Sequence, residues 1–513
     1  MARWLVSAAH KSSGKTVIAA GLCAALKARG MEVRAFKKGP DYIDPQWLAH
    51  ACARPCYNLD FNTQSHAGII ATIAAHAAAP GGCTLVEGNK GLYDGVAADG
   101  ADSNAALAKL LGLPVVLVVD CDGMTRGIAP LLQGYQAFDP QVALAGVILN
   151  KVGGERHRAK LTAAVETYTD LPVLGAVMRD ARLTLPERHL GLVPSAETDG
   201  AARRINDLRD AVAAQVDLER LLRAVDDAAS TASGDDDPPP ASGVAASTVS
   251  GDGRSLQAPG VASAASGDDG PLHAAAASAV SGDNSGPLRL GVFRDRAFSF
   301  YYPDDLEDLE RCGAELVFVN SLHDTRLPPV DGLFIGGGFP ETQAAALEAN
   351  AALRGEVARA INGGLPAYAE CGGLMYLSRA ITWREHRREM CGVIAADTLM
   401  CERPQGRGHV EFSETAHMPW PAIGGEAKTR RAHEFHYSRL VNAAAFNTAY
   451  AVSRGDGLGE GRDGIVHKNL LASYLHRRAT ADNRWTQRFT GFVRARKDAG
   501  EARSLPTGPV SLL

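Results

Sequence analysis

Short runs of valine, leucine and isoleucine, unbroken by polar alternation, recur up to about residue 225 with helical stretches between them. The runs are Trp4–Val6, Val33–Phe36, Thr84–Val86, Val115–Val119, Leu144–Leu149 and Val173–Val177. Strands buried on both faces of a parallel sheet carry this signature, so the pattern predicts a βα-alternating domain over residues 1–227. From 228 to 287 large apolar side chains almost vanish, and Ala, Ser, Gly, Asp and Pro take over with a weak repeat around Ser-Gly-Asp. Such a segment cannot bury enough apolar surface to offset its ordering entropy, which predicts a disordered linker. Alternation returns over 288–500, with runs at Leu290–Phe293, Leu316–Val319, Leu333–Ile335 and Pro366–Ala369. Pro303 and acidic residues open a predicted helix over Asp304–Arg311, and Gly313 stands just past its end. The tail past residue 500 reads as frayed. The predicted class is α/β, in two domains.

Composition narrows the picture. Of 513 residues, 46% are hydrophobic and 22% charged, as globular domains with real cores require. A net charge of −5 gives no footing for nucleic acid or an anionic membrane as partner. Nine cysteines are scattered without a C-x-x-C pair, which predicts free thiols in a reducing compartment. The start, MARWLVSAA, has too short an apolar stretch for a cleaved leader. The longest apolar run, Leu113–Val119, is far too short to span a bilayer. A cytoplasmic protein is expected.

Two stretches carry chemistry. The first is Ser7–Thr16, SAAHKSSGKT, between the first strand and a helical pattern over Val17–Ala28. A strand, a tight loop ending Gly-Lys-Thr and a helix form the context of a phosphate-binding loop. Its inward N–H groups and the helix N-terminus suit a triphosphate. Ala9 replaces the usual first glycine. Ser13, Gly14 and Lys15 are candidate ATP contacts, and Thr16 a candidate Mg²⁺ ligand. In open α/β sheets ligands sit beyond the carboxyl ends of the strands. Lys37, Glu87, Asp120 and Asn150 follow successive runs there. The second stretch is Ala367–Leu374, AYAECGGL, a strand, a cysteine, small residues and a helix. A nucleophile is displayed by such a turn, and a helix N-terminus should lower the thiol pKa. The Gly372 N–H could face an oxyanion. A second donor could come from Gly337, in the glycine loop Gly336–Glu341. A cysteine nucleophile needs a histidine base. His476 is the candidate, with His433 and His436 in competition.

GPDYIDP at 39–45, LPERHLGL at 185–192, FYYPD at 300–304, GGGFPE at 336–341, AECGGLMYL at 369–377, HEFHYS at 433–438 and SYLH at 473–476 together resemble the cobyrinic acid a,c-diamide synthase family, in order and across the chain outside the linker. The resemblance implies a dethiobiotin synthetase-like ATP domain joined to a class I glutamine amidotransferase domain. It makes Cys371 the glutaminase nucleophile and His476 its base. The acid that other class I glutaminases place two residues after the histidine is here Arg478. The implied reaction hydrolyses glutamine and uses ATP, with Mg²⁺, to turn tetrapyrrole acetates into carboxamides. Lys15 and Lys37 would supply charge, Thr16, Glu87 and Asp44 would bind the metal, and Asn150 would read the adenine. Asp41, Tyr42 and Asp94 match positions near the acyl acceptor, although Asp41 and Asp94 also read as turn residues. A homodimer is the candidate assembly.

Two departures bear on the substrate. Asn89 and Lys90 stand where the family has small or apolar residues, and Lys38 is a cation where an apolar residue is common. These added cations resemble the branch linked to dissimilatory sulfite reductase, and siroheme is the alternative macrocycle. Partner-binding ATPases that position proteins in bacteria are a rival class. They carry a lysine where this chain has His10, and they lack a glutaminase domain. A synthetase using free ammonia beside a dead glutaminase is a second rival. Cobyric acid synthase is a third, which FYYPD and HEFHYS disfavour.

Overall fold

The computed structural model describes residues 2–188, 191–232 and 287–500. The expected linker past 232, the tail past 500, and His189 and Leu190 of LPERHLGL lie outside the described residues.

Every apolar run of the first domain is a strand: β1 (Ala2–Ala8), β2 (Val33–Lys38), β4 (Cys83–Glu87), β5 (Val115–Asp120), β6 (Leu144–Val152) and β7 (Val173–Met178). The pattern missed β3 (Cys56–Leu59), which is four residues long and contains Asn58. All pair in parallel, in the order β3-β2-β4-β1-β5-β6-β7. An apolar layer covers each face of the sheet. Leu5, Val6, Ile18 and Leu22 are fully buried, each worth roughly 1.5–3 kcal/mol. Helix α1 (Lys15–Ala28) lies close against the helix Ala201–Gln215. A Cβ on Gly21 would sit 2.4 Å from Val212 Cγ2, so a larger residue there would push the helices apart. The helix Leu218–Ala232 carries the first domain past residue 227, with Leu221 and Val225 in the core. A short ribbon, β8 (Glu187–Arg188) with β9 (Gly191–Leu192), precedes these helices.

The second domain is built on a nine-stranded mixed sheet. Its parallel half is β10 (Leu288–Phe293), β11 (Ala314–Val319), β12 (Gly332–Ile335) and β13 (Ala367–Glu370), all foreseen from the apolar runs. Four more strands bear on the same sheet: β17 (Gly406–Glu414), β18 (Thr429–His436), β20 (Asn447–Arg454) and β21 (Arg462–His467). They run antiparallel, and β22 (Leu470–Ser473) joins them to β13. A four-stranded sheet of β14 (Ala380–Trp383), β15 (His386–Glu389), β16 (Asp397–Met400) and β19 (Ser438–Val441) packs alongside. The antiparallel half escaped the sequence pattern for a physical reason. TRRAHEFH places polar residues such as Arg430, His433, Glu434 and His436 among its buried positions, and both it and GRGHVEFSE leave other positions exposed, so they contain no continuous apolar run. The helix predicted over 304–311 is present as Pro303–Arg311.

Candidate active site

The phosphate loop is shaped by glycine and braced from β6. Gly14 caps α1 at φ +86, and a Cβ there would lie 2.3 Å from Asn150 Nδ2, so only glycine fits. Asn150 Nδ2 donates to Ser13 O (2.9 Å), and Ser13 Oγ donates to His10 O (2.8 Å). Both side chains therefore hold the loop itself. Lys15 Nζ donates to Lys90 O (2.5 Å).

The candidate metal ligands converge. Thr16 Oγ1 donates to Glu87 Oε1 (2.8 Å), and Lys37 Nζ reaches Asp44 Oδ2 (2.6 Å), Glu87 Oε1 (2.9 Å) and Gly88 O (3.2 Å). Burial works against the Lys37 charge, yet Asp44 and Glu87 more than restore it and hold the ammonium firmly protonated. Burial also pushes the Glu87 carboxyl up, against the pull of Lys37. Glu87 is fully buried and its Oε2 has no hydrogen-bond partner. A cation beside Thr16 would satisfy that oxygen, so these residues fit Mg²⁺. Among the described residues no three His, Cys, Asp or Glu side chains gather to hold a metal alone. A magnesium ion here would lean on nucleotide oxygens and water.

The acceptor-side residues sit on the adjoining loops. Asp41 Oδ1 takes the N–H of Ile43 (2.8 Å) and Asp44 (3.0 Å), and Asp94 Oδ2 takes that of Gly91 (2.9 Å). The turn roles read from the sequence are therefore present. Burial, and then Asp44, push the Asp41 carboxyl up to about 7. Asn89 Oδ1 accepts from Lys38 Nζ (3.1 Å), and Lys90 adopts a left-handed φ of +45. Asn104 was not foreseen. Its amide ties the 89–91 loop to β1 through Asn89, Gly91 (2.8 Å) and Ser7 Oγ (3.1 Å). In sequence it reads as an ordinary first helical residue after a Ser103 cap.

In the second domain β13 leads into Cys371, the residue before the helix Gly372–Leu377, at φ +45, ψ −97, a conformation that a non-glycine residue holds only under constraint. The Cys371 N–H donates to Ser473 O (2.7 Å). A Cβ on Gly373 would lie 2.1 Å from Ile335 O, so the helix Gly372–Leu377 needs glycine to pack on β12. One expectation fails. The thiol pKa is raised, not lowered, because burial, Glu341 and Glu370 outweigh the Gly372 N–H directed at it. A base is then required to form the thiolate.

His476 follows β22 and exchanges backbone hydrogen bonds with His433 (2.8 and 3.2 Å), and their rings stack at 4.9 Å. A Cβ on Gly337 would sit 2.5 Å from His476 Cε1, and one on Gly372 would sit 3.0 Å from Gly338 N. The glycine loop thus wraps both the histidine and the cysteine turn. Its Gly337 carbonyl takes the N–H groups of Ser299 and Phe300 (3.1 Å each). The competitors are otherwise engaged. His436 Nδ1–H donates to Ser438 O (2.8 Å) and its ring stacks on Tyr474. His433 faces the Tyr302 hydroxyl (3.4 Å), and burial, then His476, hold it neutral.

The buried His476 Nδ1 has no hydrogen-bond partner, and Glu370 Oε2 lies 3.6 Å away. Glu370 Oε1 is fixed by Arg477 N–H (3.0 Å) and the Tyr368 hydroxyl (2.6 Å). Arg478, where an acid could have stood, turns to the first domain. Its guanidinium donates to Asp304 Oδ2 (2.6 Å), Asn58 O (2.7 Å) and Gln64 Oε1 (3.1 Å). Tyr42 completes the junction. Its ring lies 5.2 Å from Phe300, 4.7 Å from Tyr302 and 5.2 Å from His476. GPDYIDP and FYYPD therefore meet as one aromatic box between the phosphate side and the thiol side.

Comparison with known proteins agrees with both halves. Residues 5–193 match the CobQ/CobB/MinD/ParA nucleotide binding domain, and 289–484 the CobB/CobQ-like glutamine amidotransferase domain. The cobyrinate a,c-diamide synthase of Magnetococcus marinus is 39% identical over 96% of this chain and 97% of its own. Those of Methanosarcina acetivorans (92% of each chain) and Archaeoglobus fulgidus (95% and 96%) are each 36% identical. With identity of this order over nearly its whole length, the chain belongs to the cobyrinate a,c-diamide synthase family.

Proposed function

We propose that the protein is a glutamine-hydrolysing carbon–nitrogen ligase that converts the a and c acetates of cobyrinate into carboxamides at the expense of ATP. The observation that carries this reading is the Tyr42 contact, which sets the acceptor motif directly against the histidine of the thiol centre. The relatives bear the cobyrinate name, and nothing in them favours siroheme. Incubating the full chain with ATP, glutamine and either macrocycle, then weighing the products, tests it. Amidation of siroheme alone would overturn it.

Cys371 Sγ attacks the glutamine carboxamide carbon, His476 takes the thiol proton and passes it to the departing ammonia, and water then hydrolyses the thioester. Gly372 N–H faces the oxyanion, with a second donor from the Gly337–Gly338 peptide region. In the first domain a substrate carboxylate attacks the γ-phosphate and ADP leaves. Ammonia then displaces phosphate from the acyl phosphate and leaves the amide. Lys15 and Lys37 stabilise the charge spread over the transferring phosphoryl group. Thr16, Glu87 and Asp44 would hold Mg²⁺, which neutralises phosphate charge when bound.

Two expectations follow from the junction. Glu370 orients His476 in place of the missing acid, so Glu370→Gln should lower glutamine hydrolysis about a hundredfold. Amidation from ammonium chloride should survive, and a coupled phosphate assay with each nitrogen source reads the difference. Tyr42→Ala opens the box between the centres. The ratio of glutamine consumed to amide formed should rise severalfold, and an unchanged ratio would deny Tyr42 that role.

A further inference from the structure

A cleft of about 410 Å³ opens between the domains beside the 89–91 loop. The first domain lines it with Lys38, Asn89, Lys90 and Asp94, and the second with His409, Arg431 and Arg454. Lys38 is 5% exposed, its Nζ donates to the neutral amide oxygen of Asn89 (3.1 Å), and among the described residues no carboxylate pairs with it. Burial pulls its pKa down to about 8, against Asp102 and Asp60. A buried cation on a cleft wall with a neutral partner is a place for an anion.

The acids around the cleft are already committed to its loops. Asp102 takes the N–H groups of Val96 (2.9 Å) and Ala97 (3.0 Å), and Asp60 takes the Asn62 N–H (3.1 Å) and the Thr63 hydroxyl (2.8 Å). Asp94 holds the Gly91 N–H. On the opposite wall Glu411 of β17 stands between Arg431 of β18 and Arg454 of β20, in register with both. Its contact with Arg431 is loose, at 3.8 Å. One carboxylate between two guanidiniums leaves that wall net positive, while on the facing wall Asp60, Asp94 and Asp102 offset Lys38 and Lys90. Nothing in the thiol chemistry needs these arginines.

We propose that the acceptor site is shared by both domains, with Lys38 seating one non-reacting carboxylate of the macrocycle and Arg431 and Arg454 of the amidotransferase domain seating others. This rests on the polycarboxylate tetrapyrrole reading above. It also gives the added cation at 38 a use that does not depend on siroheme. The substrate would then bridge the domains, and its arrival would tighten the junction where Tyr42 meets His476.

The test uses the full chain with cobyrinate as the probe. Lys38→Met keeps the buried stem, and the double variant Arg431→Ala, Arg454→Ala changes exposed side chains. Each should raise the KM for cobyrinate about tenfold or more, with KM for ATP moved less than about twofold. That rise should shrink as salt increases. Unchanged KM for cobyrinate in both variants, with the wild type active on it, would overturn the shared site. A wild type that neither binds nor amidates cobyrinate would instead overturn the functional reading, and this proposal with it.

Discussion

Cys371→Ser should remove glutamine-dependent amidation by roughly 10³- to 10⁶-fold, in the range for losing an enzyme nucleophile, and leave amidation from ammonium salts intact. The serine oxygen replaces sulfur without adding bulk, so the strained turn at φ +45 and the Ser473 hydrogen bond persist. It cannot replace sulfur chemically. The site already raises the pKa of a thiol through burial, Glu341 and Glu370, and a hydroxyl, far less acidic, gains nothing from the same surroundings. The ATP side is untouched, because Lys15 and Thr16 open helix α1 and Lys37 and Glu87 end strands of the first domain's own sheet. Supplying ¹⁵N-glutamine and unlabelled ammonium together makes the measurement internal. The wild type should incorporate label and the variant should incorporate none. Equal label from both proteins would mean that Cys371 is idle and the second domain inert.

Legibility in the sequence followed the range of the contacts. Phosphate-loop residues are close in the chain, and their strand–loop–helix context is a local signal, so β1, Gly14, Lys15 and Thr16 could be read directly. Lys37, Glu87 and Asn150 were reachable because parallel strands deliver their ends to one edge. Cys371 was visible as a strand-to-helix turn. Its raised thiol pKa was not, because that depends on Glu341 and on depth of burial, neither of which the turn reveals. Glu370 adjoins Cys371 in sequence, yet its contact with His476 exists only because β13 and β22 pair side by side. Arg478 stands in the sequence where other class I glutaminases place an acid. In the fold it ties Asp304 to Asn58 across the domains. Asn104 and the antiparallel strands were missed because their signals match those of ordinary caps and of half-exposed surface.

Lys15→Met should abolish the ATP-dependent step with either nitrogen source, by about 10³-fold or more, while making the nucleotide-free protein more stable. Function and stability separate here because Lys15 is a poorly satisfied cation. It is 8% exposed, its Nζ donates to a backbone carbonyl, and burial, then Lys37, lower its pKa from 10.5 to about 8. A folded pKa below the unfolded value means that folding disfavours the charged form. The corresponding penalty is roughly 3 kcal/mol. It is fully present below pH 8, fades as pH rises from 8 to 10.5, and is gone above that range. Methionine keeps the apolar stem without the charge, so the variant should melt above the wild type at pH 7 and the two should converge above about pH 10.5. Nucleotide inverts the order. Triphosphate oxygens give Lys15 an anionic partner in place of the Lys90 carbonyl, so Mg-ATP should raise the wild-type melting temperature far more than that of the variant. Glutamine hydrolysis by the variant reports that its second domain is intact. A variant that melts below the wild type at pH 7 and still gains the full shift from Mg-ATP would show that Lys15 is structural and that the phosphates lie elsewhere.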